Sequence, residues 1–338
     1  MTQGAVDPAR LTAFQRSLEL ERLYAKGHPP PPVDPPPSGT VRILSWNIAR
    51  GQDPARLGDT LCALRPDIAC LQEVDWGNRR TGGADVLQVL AARTGMGGLF
   101  GIEFLEVDAP GRLPRLAGGG VTGNALLTRV APSAAFRVDL PPCLDWQADV
   151  GNPQLPRFVH RRLRREPRIG RRFGIGAELA IGGRNLVVCC LHLEDKFGGM
   201  SGRWAQYAAA REAIRPRLGP GAIGVIAGDF NTFDSPLARL FSHESDASAL
   251  GKPPFVKEAA WWQSTLLPPT GYADPFPANA ATFRLGPFFK AKLDWIATND
   301  GVVRDCGIGA AGPSDHRPIW VDLDLQGNRP GVGARPTG

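Results

Sequence analysis

An acid and an amide that follow an apolar segment are the side chains of this sequence best suited to chemistry. Asp229 and Asn231 come directly after residues 223–227, a short segment rich in β-branched residues with Gly-Pro-Gly at 219–221 before it. Such a segment is typical of a buried strand, and residues two apart in extended backbone point to the same side. The pattern predicts an oxygen-rich site for a hard cation or an oriented water. A simple turn is the competing interpretation, because Asp and Asn are common in turns.

Polar side chains also end or interrupt other apolar segments. Six positions share this feature: Asn47, Glu73, His192, Asp294, Asp315 and His316. A lone carboxylate is costly to bury, so acids at such places favour a functional explanation. His192, taken alone between two leucines, is more typical of a hydrogen-bonded core histidine. Carboxylates and amides without thiols suit Mg²⁺ or Mn²⁺, and a His–Asp pair can align or deprotonate water. Together these residues predict metal-assisted attack of water on a phosphate ester.

Alternating strands and helices are predicted to position these side chains. The apolar, β-branched segments predict strands over 41–48, 67–74, 99–107, 121–129, 173–181, 185–193, 223–227, 292–297 and 319–323. The capped, amphipathic segments predict helices over 53–64, 85–94 and 202–215. This succession indicates an α/β body. Residues 141–156 are predicted to be a loop.

A long insert over residues 233–281 is predicted to be irregular. It is rich in Pro and Gly and carries four large aromatic residues: Trp261, Trp262, Tyr272 and Phe276. Structureless insertions of this length are usually functional or disordered. The aromatic residues favour an ordered lip over the site, and packing in the core is the equal alternative.

The N-terminal region is predicted to be separate from this body. Asp7 and Pro8 can begin a helix over residues 7–26, and the Pro-rich segment 28–39 is typical of a polyproline II spacer. We predict three parts: the N-terminal helix and linker over 1–39, a body over 40–326 and a flexible tail over 327–338. This division predicts that the body folds without residues 1–38.

Composition narrows the class of protein and the compartment. The 338 residues are 43% hydrophobic, and no apolar stretch is long enough to span a membrane. No secretory signal is visible at the start, and none of the six cysteines forms a C-x-x-C pair, so we expect reduced thiols and a cytoplasmic protein.

The formal charge of +6 permits an anionic substrate. Eight arginines crowd residues 157–172 and could bind a polyanion, although a solubilising loop and strand rim has the same composition.

The order of the polar fragments resembles the endonuclease/exonuclease/phosphatase superfamily, which has the deoxyribonuclease-I-like fold. The matching fragments are Ser45-Trp46-Asn47, Leu71-Gln72-Glu73-Val74, Gly123-Asn124-Ala125, Arg165-Glu166-Pro167, Leu191-His192-Leu193-Glu194, Gly228-Asp229-Phe230-Asn231, Leu293-Asp294-Trp295-Ile296 and Ser314-Asp315-His316-Arg317-Pro318. They cover roughly residues 41–325. The resemblance implies an α/β (α+β) fold, a four-layer sandwich of two mixed β-sheets packed face to face with flanking helices.

The resemblance also implies a role for the metal-binding residues. Glu73 would be the principal ligand of Mg²⁺ or Mn²⁺, with Asn47 and Asp315 close by. Asp229 and Asn231 would hold the attacking water or a second metal.

The remaining candidates would act on the phosphate. Asp294 would orient His316, and His316 would contact the phosphate or serve as the base. His192 would steady the scissile phosphate. Three further residues are candidates for contacting the substrate phosphate: Asn124, Arg165 and Arg172.

These implied roles predict a Mg²⁺-dependent phosphoesterase. A phosphodiesterase or nuclease is favoured, with a phosphate-ester substrate such as nucleic acid, because of the arginines. A phosphomonoesterase or a lipid-headgroup phosphodiesterase of the sphingomyelinase type is the alternative, and an apolar lip would suit the lipid. A non-catalytic binding module on the same fold is the minor alternative. No protein partner is implied.

Overall fold

The computed structural model describes residues 8–27, 39–109, 112–149, 152, 157–195, 198–232, 250–253, 255–286, 289–299 and 302–325. The strands in these ranges are β1 (Leu23–Lys26), β2 (Thr40–Arg50), β3 (Ile68–Trp76), β4 (Gly97–Glu106), β5 (Val121–Thr128), β6 (Ala134–Asp139), β7 (Arg168–Gly170), β8 (Phe173–Ile181), β9 (Arg184–His192), β10 (Ile223–Asp229), β11 (Phe283–Leu285), β12 (Phe289–Ala291), β13 (Asp294–Thr298), β14 (Val302–Ile308) and β15 (Ile319–Asp324). The α-helices are α1 (Ala13–Arg16), α2 (Pro54–Leu64), α3 (Val86–Thr94), α4 (Arg157–Arg165), α5 (Gly199–Ile214) and α6 (Glu258–Trp261). Short 3₁₀ or π turns lie at Pro8–Arg10, Arg79–Thr81, Pro114–Leu116, Arg215–Arg217, Trp262–Leu266 and Pro268–Thr270.

Two large mixed sheets form the centre of the molecule. The first has the order β1-β4-β5-β3-β2-β15-β14, with β7 also paired to β4, and the second has the order β13-β10-β9-β8-β6. Each sheet contains one parallel pair, β2 with β3 and β9 with β10, and its other pairs are antiparallel. A parallel pair requires a crossover connection, and helices α2 and α5 supply the two crossovers.

Three apolar clusters fill the spaces between four layers. The central cluster joins the inner faces of the sheets through residues such as Ile43, Ile68, Val188 and Val225. A second cluster packs α2 and α3 on the outside of the first sheet, and a third packs α5 and α6 on the outside of the second. The predicted four-layer α/β sandwich is therefore confirmed.

Strand alternation explains why consecutive residues enter different clusters. Cys189 lies in the outer cluster beneath α5, whereas its neighbour Cys190 lies in the central cluster. Successive side chains of a strand point to opposite faces, and both faces of this sheet are covered. The sequence of β9 is therefore almost continuously apolar, without the alternation of a half-buried strand. No helix in the described part of the chain is both long and apolar enough to cross a membrane.

The prediction of one helix over residues 7–26 was wrong. Helix α1 covers only Ala13–Arg16, and the chain then forms β1, which pairs with β4 in antiparallel register. Phe14 of α1 and Tyr24 of β1 both pack against Trp76, at 5.1 and 5.4 Å between ring centroids. Because β1 belongs to the sheet of the body, we revise the proposed boundary at residues 39 and 40. The Pro-rich segment and the tail lie outside the described residues.

The aromatic residues predicted to form a lip lie in the core. Trp262 and Tyr272 belong to the cluster beneath α5, and Phe276 belongs to the central cluster. Trp261 packs partly buried against the same outer cluster. Of the two alternatives for these residues, core packing is correct. The segment 233–249 of this insert lies outside the described residues.

Most of the basic segment forms helix α4. The alternative to a polyanion-binding surface was a solubilising loop at the rim of a strand, and a helix occupies this segment instead. In α4, Val159 and Leu163 pack with Phe104, Leu144 and Trp146 in a small apolar cluster. The helix exposes arginines at the spacing of one helical face, namely Arg157, Arg161, Arg164 and Arg165.

We expect Gln15→Ala to destabilise the protein. The Gln15 amide is buried and donates hydrogen bonds to the carbonyl oxygens of Glu106 (3.1 Å) and Gly120 (2.6 Å). Its loss should lower the free energy of unfolding by about 2 kcal/mol, because each buried bond contributes about 1 kcal/mol. Urea unfolding measures this change. Asn185→Ala, which removes an exposed amide from β9, is the control, and an equal effect of both variants would contradict a bracing role for the N-terminal segment.

Candidate active site

Three neighbouring strands place three site residues side by side at one rim of the second sheet. His192 ends β9, Asp229 ends β10 and Asp294 begins β13. Asp229 is the register partner of both His192 and Asp294. Residues paired across a sheet project to the same face, so the strand ends alone bring these side chains together.

The side chain of Asp229 is the point on which the site converges. Its Oδ2 accepts a hydrogen bond from Asn47 Nδ2 at 3.0 Å. The Nε2 atoms of His192 and His316 both lie 3.7 Å from the same oxygen. This distance exceeds a hydrogen bond, so an oxygen atom of a water or substrate can bridge the rings and the carboxylate from the cavity side.

Asn231 reaches the site by a turn. The prediction that it follows Asp229 in extended backbone was wrong, because its φ is +51° and lies in the left-handed region. The Asn231 N–H donates to Asp229 Oδ1 at 2.9 Å, and its side-chain Nδ2 donates to the carbonyl of Leu193 at 3.0 Å. These bonds fix both side chains, and both line the same cavity.

Two bulges direct Asn47 and Glu73 into the site from the first sheet. The register of β2 with β3 shifts after Asn47, and the register of β3 with β5 shifts across Glu73. Glu73 has a φ of +53°, which is uncommon for a residue with a side chain. A bulge reorients a side chain at the edge of a sheet. Here the Glu73 carboxylate faces Asn47 Nδ2 at 3.3 Å.

His316 and Asp294 form a buried pair. The Nδ1 of His316 lies 2.9 and 3.1 Å from the two carboxylate oxygens of Asp294. Burial alone would lower the pKa of His316, but the charges of Asp294, Asp229 and Asp315 outweigh it and raise the pKa to about 10. His316 therefore carries a proton on each ring nitrogen at neutral pH in the metal-free protein.

His192 is held by an arginine. The Nη1 of Arg172 lies 2.6 Å from His192 Nδ1, and it also donates to Glu103 at 3.0 Å. An arginine cannot accept a hydrogen bond, so His192 Nδ1 must be the acceptor and the ring proton lies on Nε2. Asn124 supports this arrangement from behind, because its Nδ2 donates to Glu103 at 3.2 Å.

The oxygen atoms around Glu73 fit a divalent cation. Burial opposes ionisation of Glu73, yet Arg50, His192 and Arg172 lower its pKa to about 2, so it is a carboxylate. Burial raises the pKa of Asp315, and the charge of Glu73 adds to the shift against the opposing effect of His316. Carboxylates that repel each other in one cavity, with no thiol beside them, suit a hard cation. Asn47 would join them through its Oδ1 oxygen, which also accepts a hydrogen bond from the Ala49 N–H at 3.0 Å.

A second cluster of possible ligands is better explained without a cation. Ligand atoms of Asp229, Asp294 and His316 lie within 4.8 Å of one another. Asp294 and the Nδ1 of His316 already satisfy each other, and the Nε2 proton of His316 faces Asp229. Contacts among its own members therefore account for this cluster.

A cavity of about 430 Å³ collects most of the predicted site residues. It is lined by Asn47, Glu73, Arg172, His192, Asp229, Asn231, Asp315 and His316. Asp294 lies behind His316. Asn124 is completely buried in β5, and Arg165 is exposed on α4. Neither of these last two lines the cavity, so the structure does not place them in contact with a substrate phosphate there.

Sequence reasoning missed several charged residues of the cavity. Glu103 is an acid within an apolar strand, the same signal that identified Glu73, and could have been found. Arg50 had no comparable signal. It follows the bulge of β2, has a φ of +71° and lies 3.7 Å from Glu73 Oε2.

Comparison with known proteins places this site in a family. The sequence profile of the Endonuclease/Exonuclease/phosphatase family matches residues 44–316, which include every residue of the site. The chain belongs to this family. Its members are generally phosphoesterase hydrolases and generally use divalent metal ions. No curated protein matches the sequence.

Solved structures of the family share the fold at low sequence identity. An endonuclease/exonuclease/phosphatase from Beutenbergia cavernae has 18% identity and a TM-score of 0.57, with 84% of this chain and 71% of that chain covered. The human Nocturnin catalytic domain with bound sulfate has 17% identity and a TM-score of 0.52, covering 90% and 97%. A family protein from Leptotrichia buccalis has 16% identity and a TM-score of 0.50, covering 84% and 99%.

We expect His192 to change tautomer in Arg172→Met. Without the arginine, His192 Nδ1 can take the proton and donate it to Glu103, whose Oε2 is 3.4 Å away. Long-range ¹H–¹⁵N NMR correlations distinguish the two ring tautomers. Arg171→Met, which alters a half-exposed neighbour, is the control and should leave the spectrum of His192 unchanged. A proton on Nδ1 in the unaltered protein would contradict the assignment.

The metal-free protein should lose stability as the pH rises through the titration of His316. Its pKa is raised from an unfolded value of about 6.5 to about 10. The stability that protonated His316 contributes is therefore fully present below the pKa of the unfolded state, and it is lost as the pH rises to the pKa of the folded state. Urea unfolding in chelator measures the free energy of unfolding at pH 6 and at pH 9.5. Between these two pH values, this free energy should fall further in the unaltered protein than in His316→Gln. His160→Gln is the control, and equal decreases in all three proteins would show that His316 is not raised.

Proposed function

We propose that this protein is a metal-dependent phosphodiesterase, with nucleic acid as the favoured substrate and Mg²⁺ or Mn²⁺ as the cofactor. The observation that carries the proposal is the convergence of two ring N–H groups and one carboxylate on the same point. His192 and His316 present Nε2 at 3.7 Å from Asp229 Oδ2, on the wall of an open cavity.

The two histidines suit a phosphate. His192 carries its ring proton on Nε2, and His316 is positively charged, so both are donors toward the space beside Asp229. Donors fixed before the substrate arrives stabilise the negative charge that grows on phosphoryl oxygens during attack. The raised pKa of His316 favours phosphate contact over the base role.

Asp229 suits the attacking water. The buried carboxylate is held by Asn47 and by the Asn231 N–H, so its orientation is fixed. It can accept the proton of a water that attacks phosphorus, which is the part of the reaction that a general base performs. The side-chain oxygen of Asn231, which accepts no hydrogen bond from the described residues, is the group that would align the same water.

Glu73, Asn47 and Asp315 would hold the metal ion. When bound, such an ion stabilises charge on the phosphoryl oxygens and the leaving group. The chain's own residues bind the phosphate, orient the water and accept its proton.

A polyanionic substrate is supported by the arginines around the cavity. Helix α4 exposes four arginines on one face, and its Arg162 lines the cavity. Arginine binds phosphate bidentately, which favours a nucleic acid. The lipid alternative relied on an apolar lip, and the aromatic residues that would have formed it are part of the core.

Asp229→Asn should abolish hydrolysis while the fold persists. An asparagine keeps the shape but cannot accept a proton, so kcat for bis-p-nitrophenyl phosphate should fall by about 10³-fold. Activity is measured with Mg²⁺ or Mn²⁺ and again in chelator, where the unaltered protein should also be inactive until metal is restored. Circular dichroism monitors the fold.

Asp59→Asn is the matched control, because Asp59 is an exposed carboxylate that pairs with Arg93 on the surface. It should retain full activity. Unaltered activity of Asp229→Asn, at the metal dependence of the unaltered protein, would show that the site is misplaced.

A further inference from the structure

The cavity extends beyond the residues assigned to hydrolysis. One oxygen of Glu73 faces Asn47, which leads to Asp229, and the other faces Arg50. Beyond Arg50 the cavity wall is formed by three more arginines, Arg115, Arg162 and Arg168. We call these four residues the arginine wall.

Three arginines of the wall are paired with carboxylates: Arg162 with Asp195, and Arg50 and Arg168 with acids that they share with other arginines. Arg50 and Arg168 share one carboxylate, Glu166, at 3.2 and 2.8 Å. Arg168 also reaches Glu106, which is already paired with Arg80 and Arg112. Each of these two acids is therefore divided among several guanidinium groups.

Two arginines of the wall have donors without a protein acceptor. The Nη1 of Arg50 is buried and makes no hydrogen bond within the described part of the chain. Arg115 is exposed on the 3₁₀ turn Pro114–Leu116, and it forms no hydrogen bond or ion pair with the described residues. An unpaired buried donor of a charged group is costly, so an acceptor from a ligand would satisfy it.

The turn that carries Arg115 is fixed to the body. Thr12 donates to the carbonyl of Gly119 at 3.0 Å, and Gln15 donates to those of Glu106 and Gly120. Arg80 Nη1 reaches the carbonyl of Leu116 at 3.5 Å. The position of the Arg115 backbone is therefore set before a ligand arrives.

We propose that the arginine wall is a second phosphate subsite, which binds a non-scissile phosphate one nucleotide away from the phosphate that is hydrolysed. This inference rests on the proposed phosphodiesterase activity. Phosphate oxygens match the spare donors of Arg50 and Arg115 in charge and in hydrogen-bonding capacity. A terminal phosphate and an internal phosphate of a strand share this chemistry.

Matched chromogenic substrates test the subsite. Thymidine 5′-(p-nitrophenyl phosphate) is compared with its 3′-phosphate derivative, and thymidine 3′-(p-nitrophenyl phosphate) with its 5′-phosphate derivative. In one polarity the added phosphate should raise kcat/KM by about tenfold or more, because it gains charged hydrogen bonds. The same comparison is repeated with a methyl ester of the added phosphate. If the methyl ester still raises kcat/KM, the subsite binds an internal phosphate; if the increase is lost, it binds a terminal phosphate.

Arg115→Gln should reduce this gain to about twofold or less, since glutamine lacks the charge and the second donor pair. Arg56→Gln, which removes an exposed arginine from α2, is the control and should keep the full gain. No gain in either polarity, or a gain that survives Arg115→Gln, would overturn the subsite while leaving the phosphodiesterase proposal in place.

A binding measurement separates failure of the subsite from failure of the proposed activity. Thymidine 3′,5′-bisphosphate and the two thymidine monophosphates are titrated calorimetrically into the metal-free protein. The bisphosphate should bind about tenfold more tightly than either monophosphate, and Arg115→Gln should remove the difference. If no ester is hydrolysed, this preference still supports the subsite, and its absence refutes it.

Discussion

The site depends on the burial of the Asp229 carboxylate at the shared rim of the two sheets. A buried charge must be compensated, and this one is compensated by groups from both sheets. Asn47 donates to it from the first sheet, and two histidines face it from the second sheet and from the turn before β15. The groups that compensate Asp229 therefore link the two sheets at the place where water and phosphate would be bound.

Compensated charge also connects the site to the opposite end of the cavity. Glu73 faces Arg50, Arg50 pairs with Glu166, and Glu166 pairs with Arg168. Arg168 continues to Glu106, whose backbone carbonyl accepts the amide of Gln15. Burial would raise the pKa of Glu106, but the surrounding arginines lower it well below its usual value. This chain of contacts links the N-terminal segment to a predicted metal ligand.

The two histidines have different partners, and this gives them different chemistry. His316 faces a carboxylate through Nδ1 and is held positively charged. His192 faces an arginine through Nδ1, so its only ring proton points into the cavity. A carboxylate stabilises a protonated ring and an arginine stabilises an unprotonated ring nitrogen, so the second residue of each pair decides what the first can do.

The arginines change the interpretation of the substrate. In the sequence they form a block whose composition fits either a polyanion-binding surface or a solubilising rim. In the structure they divide into three groups. Arg157, Arg161, Arg164 and Arg165 are exposed on α4, and Arg171 is exposed just before β8. Arg162 and Arg168 line the cavity, and Arg172 lines it while it also supports His192. An exposed basic face beside a cavity that also contains arginines supports the proposed extended anionic substrate over a lipid.

Local sequence patterns established nine of the fifteen described strands, the order of the polar strand ends and thus the family and the four-layer fold. These features are local: a short β-branched segment forms a strand wherever it is, and Asp229, His192 and Asp294 needed only their strands to be adjacent.

The tertiary structure decided the rest. The N-terminal helix became strand β1 because the edge of the first sheet was available to pair with it, and Trp262 entered the core because α5 left apolar surface to cover. Arg165 and Arg172 differ little as sequence, yet one is exposed and the other holds His192. Pairing and burial of this kind depend on residues far apart in the chain, and a local pattern carries no information about them.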